Sequence, residues 1–169
     1  MMFASTDVAS VARASRRSGL QPAGPLQAKE SVIGQTLFTM ILALAILTTA
    51  LLFGGMALYS FGFAAFLFSA LPPDVAGATL RRAFPAFYLF VMGAAALAAA
   101  LLWSHDGLAA GLMAGVAVTT LPSRQLLMPA INAATDRAQR GRFRWLHGLS
   151  IVVTLAHIGA AGYVLVRLV

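Results

Sequence analysis

The sequence contains no cysteine, and only five of its 169 residues are acidic. The first absence excludes disulfides, iron–sulfur clusters, thiolate metal sites and a cysteine nucleophile from this chain. The second is nearly as restrictive. Asp7, Glu30, Asp74, Asp106 and Asp136 all lie outside the depths of the apolar segments, which argues against a pump or transporter built on buried carboxylates. Charge of either sign is scarce, at 10% of residues against about 25% in a soluble domain.

What fills the chain instead is apolar: 60% of residues are hydrophobic and the mean hydropathy is +0.84. These values define an all-α integral membrane protein with a single membrane domain. The net charge is +7. On a soluble protein that surplus would point to nucleic acid. Here the arginines gather at the ends of apolar segments, where membrane orientation and anionic head groups account for them, and no nucleic-acid partner is expected.

Four transmembrane helices are expected, at about residues 33–71, 84–103, 108–128 and 143–167, together forming a domain over 31–169. The first is unusually long, nearly twice the roughly 20 residues that cross the hydrocarbon core. It is read as one helix rather than a hairpin, because no polar turn interrupts it and a turn at bilayer depth would strand backbone groups. Pro72-Pro73 ends it. Residues 1–30 read as a flexible basic tail and a possible partner-binding segment. Its Ser15-Arg16-Arg17 has no apolar core directly behind it, so a cleaved export signal is not expected. Arginine counting places the 72–83 and 122–144 loops in the cytoplasm and both termini outside.

Small residues mark the middle of the chain. Gly107, Gly111 and Gly115 recur every four residues, a small-xxx-small pattern that favours close helix packing, with a partner in this chain or in another. The last segment carries a polar stripe: His147, Ser150, Thr154 and His157 fall within about 80° of one another on a helix. Polar groups on one face of a lipid-embedded helix turn toward protein. His147 and His157 are the weak candidates for a cofactor ligand. Ten residues separate them by about 15 Å along a helix, too far to share one metal. Hydrogen bonding is preferred for both over a haem-ligand role. Ser150 has His147 three residues away but no carboxylate to complete a triad, so no catalytic residue is assigned. Met40, Met56, Met92 and Met113 are unpaired along the sequence and read as packing rather than as a copper path. No metal and no cofactor is expected, with haem the remaining alternative.

Three motifs carry a resemblance. The first is Phe53-Gly54, then Phe66-Leu67-Phe68-Ser69-Ala70-Leu71-Pro72, Ala76-Gly77 and Phe84-Pro85-Ala86-Phe87-Tyr88. The second is Met128-Pro129-Ala130-Ile131-Asn132 with Asp136-Arg137, and the third is Phe143-Arg144-Trp145-Leu146-His147-Gly148-Leu149-Ser150. Over about residues 50–169 the chain resembles the transmembrane-protein-205-like family, itself catalogued as a domain of unknown function. The resemblance implies four transmembrane helices and no established reaction. Bacterial members often carry a proline where Ala65 stands and an asparagine where Thr154 stands.

The function expected is that of a non-catalytic accessory or scaffolding subunit of a larger membrane complex. It would be multi-pass in a bacterial inner membrane, with other membrane subunits and lipids as partners. The alternatives are a small transporter or channel using the His147–His157 stripe, and a haem- or quinone-associated subunit of an energy-converting complex.

Overall fold

The computed structural model describes residues 24–169, which are helical almost throughout, with no strand among them. Most of the expected tail, residues 1–23, lies outside the described residues. The chain divides into two units, Met1–Thr39 and Met40–Val169.

Helix α1 runs Pro25–Ala57. It starts about eight residues before the expected boundary, and Pro25 is the reason. A proline at the first helical position gives up a hydrogen bond that no helix makes there. Gln27 reaches back to the Gly24 N–H (3.2 Å), half of a capping box. In the first unit every described residue is exposed, including Leu26, Val32, Ile33, Leu37 and Phe38. Its hydroxyls are spent within the helix: Thr36 and Thr39 donate to the carbonyls of Val32 and Gln35.

The second unit holds the remainder of α1. The helix passes through a π-helical stretch, Leu58–Phe63, into α2 (Ala64–Ala70) without a break, so the long segment is one helix and not a hairpin. Helix α3 (Pro73–Leu102) follows directly. The sequence places a loop at 74–83; the structure corrects this to three turns of helix. Pro73 sits in the first helical turn, Asp74 complements the helix dipole there, and Ala76 and Leu80, four residues apart, bury one face with Leu67. Pro85 lies inside α3.

Helix α4 covers Gly107–Pro122, 16 residues. Beyond Pro122 the chain again turns π-helical, Ser123–Leu127, and then forms α5 (Met128–Asp136). The loop expected from residue 129 to 142 is therefore mostly helix. The chain reverses only at residues 137–139, where Ala138 takes a left-handed conformation (φ 51°). Helix α6, Arg140–Leu168, completes the chain. Three helical segments are long and apolar enough to cross a membrane: Pro25–Ala70, Pro73–Leu102 and Arg140–Leu168. The expected fourth, at 108–128, is not one of them. Its α-helical part, Gly107–Pro122, falls short of the roughly 20 residues a crossing needs, and the chain continues as π-helix.

The core joins α1, α3, α4 and α6 and is made largely of alanine. Ala95, Ala98, Ala109 and Ala110 are at most 1% exposed, and Leu52, Met56, Leu102 and Met113 fill the space between. Small side chains let the backbones come close where no hydrophobic driving force separates helix from lipid. Gly55 belongs to the same packing, because a Cβ there would lie 2.7 Å from the Phe90 ring.

Asp106 closes the turn between α3 and α4. It accepts the backbone N–H groups of Leu108 (3.0 Å) and Ala109 (3.1 Å), capping α4, and Arg167 donates to its other oxygen. The Arg167 hydrogen bond, then the backbone N–H groups, hold the Asp106 carboxyl below the usual carboxylate range. A depressed folded value gives stability that is complete above the ordinary carboxylate value of 3.8 and is lost as pH falls through the folded value. Thermal melts in detergent should therefore show an acid loss beginning below about pH 4 that Asp106→Ala removes, at the cost of a lower melting temperature at neutral pH. Asp106→Asn keeps a capping oxygen and should lose less. Identical pH profiles for wild type and Asp106→Ala would contradict this role.

Candidate functional site

Two features stand out in the second unit: a groove, and a bare glycine face.

The groove is bounded by the π-helical stretch and α2 on one side, by α3, and by α5 and α6 on the other. It encloses about 840 Å³. On α3 the positions that line it descend one face of the helix: Asp74, Gly77 and Ala78, Arg81, Phe84, Tyr88. Charge sits at the start of that face and aromatic rings lie deeper. On α6 the lining runs Phe143, His147, Ser150 and Ile151, Thr154 and Leu155. So three of the four stripe residues share this groove. His147 is exposed to it and stacks on Phe143 (5.3 Å between ring centres). Ser150 and Thr154 are half-buried, and Ser150 lies within hydrogen-bonding reach of the Tyr88 hydroxyl.

The fourth, His157, is separate. Its Nε2 lies 2.8 Å from the Thr119 hydroxyl of α4. That hydroxyl also donates its hydrogen to the Gly115 carbonyl (2.6 Å), which leaves Nε2–H of His157 as the donor between the two side chains. The bond ties α6 to α4 and commits the Nε2 nitrogen. His157, Thr154, Ser150 and Tyr88 also line a cavity of about 10 Å³ with Thr120 and Ser123, room for one water. The two histidines thus do not meet at one site. Among the described residues, no three histidine or carboxylate side chains cluster as a metal set would.

Several groove residues were not singled out by their sequence. Tyr59 stacks on Phe87 at 4.0 Å, and its hydroxyl is buried with no hydrogen-bond partner. Arg81 and Asp136 form an ion pair (2.6 Å) that joins the first turns of α3 to the end of α5 across 55 residues of sequence. Tyr88 and Asp136 do fall inside the motifs quoted above, which was the available signal. Both π-helical stretches border these cavities: Tyr59, Ser60 and Phe61 line the groove, and Ser123 lines the small cavity. Such stretches are rare and frequent at functional sites.

The second feature bears on which partner the glycines have, a question their spacing leaves open. Among the described residues Gly107, Gly111 and Gly115 pack against nothing: all three are exposed, and a Cβ at each would meet no atom within 4 Å. The adjoining face of α4, Ala109, Ala110, Met113 and Val116, does the packing instead.

Residues 47–140, more than half of the chain, match the family described as a domain of unknown function (DUF4149). The chain belongs to that family. No curated protein and no solved structure matches it. The DUF4149 stretch takes in the first two motifs, the π-helical stretches and every groove residue up to α5. The third motif and the stripe of α6 lie beyond it.

Proposed function

We propose that this DUF4149 protein is a non-catalytic accessory or scaffolding subunit of a larger membrane assembly, docked through the glycine face of α4. The observation that carries the reading is that face. Three glycines at four-residue spacing are left bare by the described residues while the alanine face beside them is packed. A glycine-lined strip at bilayer depth gains little from lipid, whose chains pack equally well on leucine, and gains close backbone approach from a second helix. The polar groups of the α6 stripe suit holding rather than chemistry, since Ser150 faces Tyr88 in the groove and His157 faces Thr119 outside it.

The proposal includes four crossings, with α4, the π-helical stretch and α5 together forming one of them. The Asp106–Arg167 pair supports this, because it needs the α3–α4 turn and the end of α6 at the same membrane face. Cysteines at Ser104 and Val169 that label from opposite sides would count against it. The narrower affiliation, to the transmembrane-protein-205-like group in a bacterial inner membrane, rests on the three motifs and is part of the same proposal.

The test is Gly111→Leu. Because space is open there, the variant should melt within a few degrees of wild type in mild detergent. Affinity purification from native membranes should nevertheless recover its co-purifying subunits at least about tenfold less well, as follows from losing roughly 1.4 kcal/mol of packing. Recovery of the same partners at unchanged stoichiometry would overturn the docking face.

A further inference from the structure

We propose that the groove is a binding site for one amine-headed glycerophospholipid, with its phosphate on Arg81 and its ammonium at Asp74. This inference is independent of the docking face on α4.

The argument begins with the gradient along the two walls. From Asp74 to Tyr88 the α3 face covers about 21 Å, and from Phe143 to Leu155 the α6 face covers about 18 Å. Both walls start at the same end, because Arg81 and Asp136 tie α3 to the α5–α6 corner there. That end presents Asp74, Arg81 and Asn132; the far end presents Phe61, Phe84 and Leu155. A charged head, a hydrogen-bonding neck and a long apolar body are the three parts of a phospholipid in order. The groove's volume, about 840 Å³, is in the range of a site for one ligand molecule.

The charges then select the head group. Asp136 engages only one nitrogen of Arg81. A guanidinium carries five N–H donors, so the others remain for a phosphate. Asp74 also lines the groove and, among the described residues, joins no ion pair. Among the charged side chains that line the groove, Asp74 is the one that no described side chain pairs. An anionic head brings it no cation. A zwitterion with a primary ammonium answers it, since the ammonium has three N–H donors for the free carboxylate. Choline carries the same charge with no N–H to give. The remaining arginines of this side, Arg82, Arg124, Arg137, Arg140, Arg142 and Arg144, do not line the groove.

The experiment uses the full chain in nanodiscs of equal parts phosphatidylethanolamine, phosphatidylglycerol and phosphatidylcholine, followed by native mass spectrometry of the lipid retained on gentle release. The expected result is one retained lipid per chain, with phosphatidylethanolamine enriched about fivefold over each of the others, the scale of one partly exposed charge-assisted contact. Asp74→Asn, which leaves the Arg81–Asp136 pair in place, should bring the ethanolamine-to-choline ratio close to one. Retention of phosphatidylglycerol in preference, equal retention of all three, no retained lipid, or an ethanolamine preference that Asp74→Asn does not change would each overturn the proposal. So would a polypeptide cross-linked to a cysteine at Ile151 in native membranes, because a partner helix would then fill the groove.

Discussion

Ala98→Leu is expected to abolish the folded protein or lower its melting temperature by far more than any surface change. Ala98 is fully buried on α3, within the alanine cluster that meets Ala109 and Ala110 of α4. The backbones approach closely only because these side chains end at Cβ. Leucine adds three carbons at a fully buried position, and such overpacking costs about 1–3 kcal/mol in a well-packed core, more where backbone must move. Ala96, two residues away on the exposed face of the same helix, provides the control. Ala96→Leu adds the same three carbons and should melt with the wild type. Size-exclusion profiles and thermal melts in mild detergent check both. Equal stability of the two variants would mean that the α3–α4 packing described here is not what holds the helices.

Tyr88→Ala should have the second large effect. Tyr88 is 8% exposed and packs with the rings of Phe84 and Phe87, at 5.9 and 6.0 Å between centres. It also lines both the groove and the small cavity beside His157. Removing the ring takes away its packing and enlarges the adjoining space, with an expected loss of about 3–5 kcal/mol for a large buried aromatic. Tyr88→Phe removes only the hydroxyl near Ser150, and an interhelical hydrogen bond at bilayer depth is worth about 0.6 kcal/mol on average. Chemical or thermal denaturation in detergent should show the alanine variant severely destabilised and the phenylalanine variant close to wild type. A mild alanine variant would show that the ring is not structural.

These two positions also mark how far the sequence could be read. Composition declared the solvent, and the unbroken apolar run declared the long first helix, because both depend only on local residue type. The start of α3 was hidden. Arg81 and Arg82 look like a loop, and only the burial of Ala76 and Leu80 against Leu67 reveals a helical face there. Helix α4 offered two small-residue faces, and spacing alone singled out the glycines. Which of the two packs inside the chain depends on α3, whose alanines are complementary to Ala109 and Ala110. The polar stripe of α6 was legible as a pattern, yet its division between the groove and Thr119 was not. That division depends on a partner 38 residues away. The Arg81–Asp136 pair is longer in range still, and nothing in either neighbourhood announces the other.

The absence of cysteine allows the central claim, a docking face on α4, to be tested at one residue. A Gly111→Cys variant carrying a benzophenone on the new thiol would be illuminated in native membranes and compared with the same probe at Val152, an exposed position of α6 away from the glycine face. The account predicts a discrete higher-mass adduct containing a second polypeptide from position 111, at several times the yield from position 152. Lipid adducts alone at position 111, with equal yields at both positions, would contradict it.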